Sequence, residues 1–145
     1  MTVALKTAPY DAWDELKAYE QQRLTAGRYG ACCAFTGTMR DFNEGDEVKA
    51  MSLEHYPGMT ECQLEAIADE ASARWPLLDT LILHRVGDIQ PGETIVLTAC
   101  WSAHRAASFE ACRFLMEALK SRAPFWKKET LQDDSTRWVE SNTPG

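Results

Sequence analysis

The sequence has no Cys-x-x-Cys pair, no glycine-rich phosphate loop, no internal repeat and no low-complexity tract. No apolar run approaches the roughly 20 residues that a membrane span needs. Each absence removes a class of function. The five cysteines, Cys32, Cys33, Cys62, Cys100 and Cys112, are odd in number, and the neighbours Cys32 and Cys33 point to opposite faces of a strand. A disulfide framework and a zinc site are therefore not expected. The thiols read as buried free cysteines in a reducing compartment, and nothing nearby marks one as an activated nucleophile. Histidine is scarce. His55 and His84 fall in strands without metal-ligand spacing and read as structural, so no metal and no cofactor are expected. The net charge of −7 argues against a general nucleic-acid binder. Met1–Pro9 has no basic stretch followed by an apolar block, so a secretory signal is not expected and the location defaults to the cytoplasm.

What is present is enough for one packed domain over residues 1–145: 145 residues, 45% of them hydrophobic. The charge is uneven. Between His104 and Lys128 stand six basic residues (Arg105, Arg113, Lys120, Arg122, Lys127 and Lys128) and two acids (Glu110 and Glu117). That segment carries +4 and leaves −11 on the remainder of a chain of −7. A cationic patch on an acidic protein fits a small anionic ligand or an anionic peptide end.

Periodicity and breakers order the chain. Asp11–Leu24 reads as a helix, with Trp13, Leu16, Lys17 and Glu20 at helical spacing, ended by Gly27–Gly30. Ala31–Met39 and Val48–His55 read as strands, and the Asn43-Glu44-Gly45-Asp46 turn between them predicts a hairpin. After Tyr56-Pro57-Gly58, Thr60 and Gln63 have the form of a capping box. Leu64, Ile67, Ala68, Ala71 and Trp75 then follow at helical spacing up to Pro76. Thr80–Val86 and Thr94–Trp101 are strands around a Gln90–Glu93 turn. Ser102 is placed to cap a long helix to about Ser121, stopped by Pro124. Trp126–Thr130 and Thr136–Val139 are short closing strands. The sum is an α+β domain with a mainly antiparallel sheet.

The long helix carries the candidate chemistry. Phe109, Cys112, Met116 and Leu119 form an apolar stripe, with Lys120 at its edge and Arg113 one step further round. A lysine there is either a snorkelling surface residue or a partly desolvated amine with a lowered pKa, able to act as base or nucleophile. His104 and Arg105, in the first turn, oppose the helix dipole; they either hold an anion or pair with nearby acids. Arg40 ends the first strand. Phe125-Trp126-Lys127-Lys128 either stacks on a heterocycle and holds a phosphate, or forms a half-buried edge strand. Arg105 and Lys120 stand about 22 Å apart along a continuous helix. If both serve one pocket, a second copy in a C2 dimer must complete it.

Several stretches resemble the large, catalytic subunit of molybdopterin synthase, the MoaE family. They are Leu53–Thr60 (LEHYPGMT), Ser102–Arg105, Phe109–Ala111, Leu119–Glu129 (LKSRAPFWKKE) and Arg137–Glu140. The resemblance runs from about residue 29 to 140 in matching order. It implies an α/β hammerhead fold with a small additional β subdomain, and a central homodimer. It also implies a small ubiquitin-like sulfur-carrier subunit docked at each end as a heterotetramer. The implied activity is that of a sulfurtransferase of molybdenum cofactor biosynthesis. It makes molybdopterin from cyclic pyranopterin monophosphate, with sulfur from the partner's C-terminal thiocarboxylate. Lys120 and Lys127 match the catalytic lysines. Thr38, Met39, Arg40, His104, Arg105, Lys128 and Glu129 match substrate-pocket positions, with the His-Arg pair coming from the dimer mate, and Phe35, Arg113 and Met116 line the pocket. Relatives often carry Lys where Thr38 stands. The Leu131–Thr136 loop is slightly longer here, an arginine is replaced near Asn142, and some relatives extend beyond Gly145. The rival readings are a non-catalytic dimeric module that binds a phosphate or nucleotide, and a scaffold that only recruits the ubiquitin-like protein.

Overall fold

The computed structural model describes residues 1–139. Two sheets and three helices build it, in the order β1 (Thr2–Lys6), α1 (Ala12–Arg23), β2 (Ala31–Thr38), β3 (Phe42–Asn43), β4 (Asp46–His55), α2 (Met59–Arg74), β5 (Leu77–Arg85), β6 (Gly87–Ile89), β7 (Thr94–Ser102), α3 (Arg105–Arg122), β8 (Phe125–Leu131) and β9 (Thr136–Val139). The first sheet has the order β1-β5-β7-β2, antiparallel except for the parallel β1–β5 pair. The second runs β3-β4-β8-β9, with β6 also on β4. The expected α+β class and mainly antiparallel pairing are present, and the second sheet is the additional β subdomain.

The first sheet is covered on both faces, and strand alternation assigns each residue to a side. Leu81 and Leu83 of β5 and Leu97, Ala99 and Trp101 of β7 pack with Ala12 and Tyr19 of α1. Ile82, Val96 and Cys100 face the other way, onto Leu64, Ile67, Ala68 and Ala71 of α2 and Ala111, Cys112, Leu115, Ala118 and Leu119 of α3. A third, smaller core of Met39, Val48, Met51, Leu53 and Ile89 joins the two sheets.

Several local expectations are corrected. The hairpin forms, but between β3 and β4 (Phe42↔Glu47, Asn43↔Asp46), with Glu44 and Gly45 at positive φ in the turn. β2 instead lies against β7, and its end is tied to the turn before β7 by Met39 N–H to the Glu93 carbonyl (2.9 Å) and Gly92 N–H to the Met39 carbonyl (2.8 Å). On α1 the inward face is Ala12, Leu16 and Tyr19, while Trp13 is exposed. The α2 cap is Gly58, whose N–H donates to the Glu61 carboxylate at 3.1 Å. Thr60 is buried, and its hydroxyl accepts from Tyr56 N–H (3.0 Å) and donates to the Pro124 carbonyl (3.2 Å). Ser102 does not cap α3. Its hydroxyl donates to the His104 carbonyl and bonds Ser108, both at 2.6 Å, and His104 is the cap residue without a side-chain bond. The buried face of α3 is Ser108, Ala111, Cys112, Leu115, Ala118 and Leu119, because the helix packs on sheet and α2 at once; Phe109 is 63% exposed. Strands β1 and β6 had no counterpart in the sequence reading. The positions near Asn142 and Gly145, and Glu140, lie outside the described residues.

Cysteine burial also departs from expectation. Cys100 and Cys112 are buried, Cys33 is intermediate, and Cys32 and Cys62 are exposed; all five are free. Burial pushes the Cys112 thiol up to about 12, and Cys100 upward as well, so neither is a thiolate at neutral pH.

Candidate functional site

The site forms where the C-terminal end of α3, the start of β8 and the end of β2 converge between the two sheets. Helix α3 ends because Ala123 is extended (φ −76°, ψ 132°) ahead of Pro124, and the chain enters β8 at Phe125. That sharp passage sets Lys120, on the last turn of α3, close to Lys127, on β8. Both line a cavity of about 240 Å³ with His84, Met51, Ile95 and Phe125. Both also line an adjoining cavity with Thr38, Met39, Arg40 and Glu129. Strand alternation decides which β8 side chains enter: Lys127 and Glu129 share one face.

The electrostatics follow from this crowding. Lys120 is held below the ordinary lysine range by burial first and by the Arg40 guanidinium second, although its side chain keeps solvent contact. Lys127 is lowered by burial, then by Lys120; Arg40 adds to this and Glu129 opposes it. Three cations sharing one cleft raise the share of neutral amine and attract an anion. Glu129 is 4% exposed and is not a loose counter-charge: it accepts from Arg137 Nε (3.0 Å) and Asn43 Nδ2 (2.9 Å). Arg137 in turn reaches Asp46 (2.8 Å) and the Asn43 carbonyl (2.9 Å), locking β9 and the β3–β4 hairpin beside the site.

The sequence-predicted residues divide into groups. Thr38, Met39, Arg40, Lys120, Lys127 and Glu129 come together, with Met39 also buried in the third core and the Arg40 guanidinium 4.9 Å from the Phe42 ring centre. Phe35, Arg113 and Met116 line a neighbouring depression between β2 and α3, with Phe109 and again Lys120. Lys128 is not brought in: it lies on the other face of β8, its amine 5.6 Å from the Trp138 ring centre. His104 and Arg105 are exposed at the far end of α3, where Gly30 lets β2 pass so close that a Cβ there would sit 2.3 Å from the Ala103 carbonyl oxygen. Within one chain they do not reach the lysines. Sequence reasoning missed His84, whose parity with Thr80 and Ile82 on β5 was the available signal. It also missed Met51 and Ile95. Among the described residues, no group of three His, Cys, Asp or Glu side chains is placed to hold a metal ion.

Comparison with known proteins adds four findings. Residues 8–122 match the family model described as MoaE protein. The chain is 52% identical over 140 residues to the molybdopterin synthase catalytic subunit of Pseudomonas aeruginosa, covering 97% of this chain and 91% of that one. Among solved structures it is similar to the molybdopterin biosynthesis MoaE protein from Burkholderia ambifaria MC40-6 (44% identity, 99% and 92% coverage, TM-score 0.80). It is likewise similar to molybdopterin synthase from Staphylococcus aureus (30% identity, 93% and 94% coverage, TM-score 0.82).

Proposed function

Because the chain belongs to the MoaE family, we propose that it is the catalytic subunit of a molybdopterin synthase. It converts cyclic pyranopterin monophosphate to molybdopterin with sulfur delivered by the C-terminal thiocarboxylate of a small ubiquitin-like partner. The observation that carries the reading is the Lys120–Lys127 pair in one cleft with Arg40, both amines below their ordinary pKa.

The roles follow from charge and position. Arg40, with Thr38 and Met39 beside it, receives the anionic part of the substrate. Lys120 and Lys127 neutralise the attacking sulfur and move protons at the pterin side chain, a task that their lowered pKa favours. Glu129 limits the depression of Lys127. Sulfur arrives with the partner, so no cysteine is needed, in keeping with the raised thiols.

His104 and Arg105 serve the site of a dimer mate. The exposed Phe35 (43%) and Phe109 (63%), beside the edge strand β2, offer apolar surface for that contact. The working assembly is a homodimer with a small subunit on each side, in which residues 1–145 act as one catalytic unit. No helix among the described residues is long and apolar enough to cross a membrane. On this reading the activity is cytoplasmic.

Reconstitution tests this: the protein, a thiocarboxylated small subunit and cyclic pyranopterin monophosphate should yield dithiolene product. Lys120→Ala and Lys127→Ala should each lower the rate by at least about a hundredfold while the fold and dimer persist. Substrate binding without product from the unaltered chain would replace this reading with that of a phosphate-binding module.

A further inference from the structure

His84 is the one titratable group of the lysine cavity that the reaction above does not use. It is 5% exposed, near the end of β5, on the face that turns towards α2 and α3. Its ring is fixed twice. It stacks on Phe125 (centroids 4.0 Å, planes 17° apart), the residue that opens β8 two positions before Lys127. Its Nδ1 lies 2.8 Å from the Arg85 carbonyl oxygen. A carbonyl can only accept, so Nδ1 carries the proton. Burial, opposed by that bond and reinforced by Lys120 and then Lys127, pushes the ring down to about 4, so it is neutral at pH 7. A neutral ring protonated at Nδ1 has a bare lone pair on Nε2, at its far end.

The surroundings say what that lone pair can meet. Across the sheet, His84 pairs with Leu5 of β1 and Val96 of β7, neither of which titrates. On its own strand the Arg85 guanidinium is engaged by the Asp88 carbonyl (2.6 Å) and Glu93 (3.4 Å). The charged groups acting on the ring are Lys120 from α3 and Lys127 from β8, with Lys120 the stronger. Beyond them Arg40, from the end of β2, acts on both lysines. An acceptor that is neutral at pH 7 thus stands in a cavity that otherwise presents cationic donors.

We propose that His84 is a positioning residue, whose Nε2 accepts a hydrogen bond from the Lys120 amino group and aims it into the cavity shared with Lys127. This rests on the sulfur-transfer reading for its catalytic consequence but not for the hydrogen bond. The ring takes no proton from substrate. It fixes one direction of the lysine, and the Phe125 stack couples that direction to the start of β8 and so to Lys127.

Two substitutions separate acceptor from packing. His84→Phe keeps a flat ring on Phe125 and removes the acceptor; His84→Gln restores an acceptor at the Nε2 position. In substrate-free protein, NMR of isotopically labelled lysine ε-carbons reads the Lys120 titration directly. The expected result is a Lys120 titration lowered by about one pH unit in His84→Phe, from lost stabilisation of the ammonium form, and near normal in His84→Gln. In the reconstituted assay kcat should fall about tenfold in His84→Phe with KM nearly constant, and recover largely in His84→Gln. If His84→Phe does not fold, His84→Met, matched to Gln in length, takes its place in the same comparison. A Lys120 titration unchanged in the acceptor-free variant overturns the proposal, whatever the activity. A shifted titration in a protein that makes no dithiolene leaves the proposal standing and removes the sulfur-transfer reading instead.

Discussion

His84 must take up a proton on unfolding in mildly acid solution, and this gives the molecule a pH dependence with a definite sign. The ordinary ring titrates near 6.5; in the folded chain it titrates near 4. Above about pH 6.5 both states are neutral and His84 contributes no pH-dependent stability. As the pH falls from 6.5 towards 4, the unfolded ring protonates and the folded one does not, so stability falls. Below about 4 the loss is complete, at about 3 kcal/mol for a shift of this size. Urea unfolding from pH 7.5 to 3.5 checks this. The His84→Gln protein, which cannot take up that proton, should lose less stability over the same range, and parallel curves for the two proteins would contradict the burial argument. The lowered lysines act in the same direction at alkaline pH: the unfolded state binds more protons between their depressed values and the ordinary lysine range, so stability rises there with pH. At the residue scale the site therefore stores unfavourable electrostatics, which the surrounding packing offsets. The proposed proton-transfer role requires this, since a fully solvated lysine has too little neutral amine near pH 7.

The elements decide whether these residues meet, and here sequence periodicity was an uneven guide. Spacing and breakers such as Pro124 placed Lys120, Lys127 and Arg40 on α3, β8 and the end of β2 but left them open between site and surface, and the resemblance to the MoaE family singled them out. Pairing was less legible. The Glu44-Gly45 turn does make a hairpin, but a turn does not reveal how far its strands extend, and β2 found a better partner in the buried face of β7. His84 lay in a strand whose inward residues are otherwise apolar or small, so its neighbours concealed the cavity at its end. Ser102 had the residue type of a cap, yet a buried hydroxyl forms whatever bonds its surroundings present, here to Ser108 and the His104 carbonyl. Thr60 shows the same effect with a consequence for function. Its hydroxyl joins the approach to α2 to Pro124, the hinge between Lys120 and Lys127. Thr60→Val keeps the volume and takes their Thr60 partner from a part-buried N–H and a part-buried carbonyl, which should cost about 1 kcal/mol. Thermal unfolding should show that loss. Product formation at a temperature where the variant is fully folded should also fall, because the α3–β8 joint is no longer held. Loss of stability with undiminished activity would mean the hinge is set by Pro124 alone.

At the scale of the whole molecule, the proposed site needs a second chain. Helix α3 carries Lys120 at one end and the His104–Arg105 pair at the other, about 22 Å apart along a straight helix. No side-chain movement joins them. A second copy, related by a two-fold axis, can place its His104–Arg105 end against the first copy's lysine end, and symmetry then completes two sites together. This arrangement has a quantitative consequence. A Lys120→Ala chain and an Arg105→Ala chain should each form inactive homodimers. Mixed by co-refolding in equal amounts, half of the dimers are heterodimers. Each heterodimer contains one site with both substitutions and one with neither, so about a quarter of the unaltered activity should return. Sites contained within single chains would recover nothing on mixing. An intermediate dependence on the mixing ratio, peaking at equal amounts, would show directly that the lysines of one protomer act on substrate held by the arginine of the other.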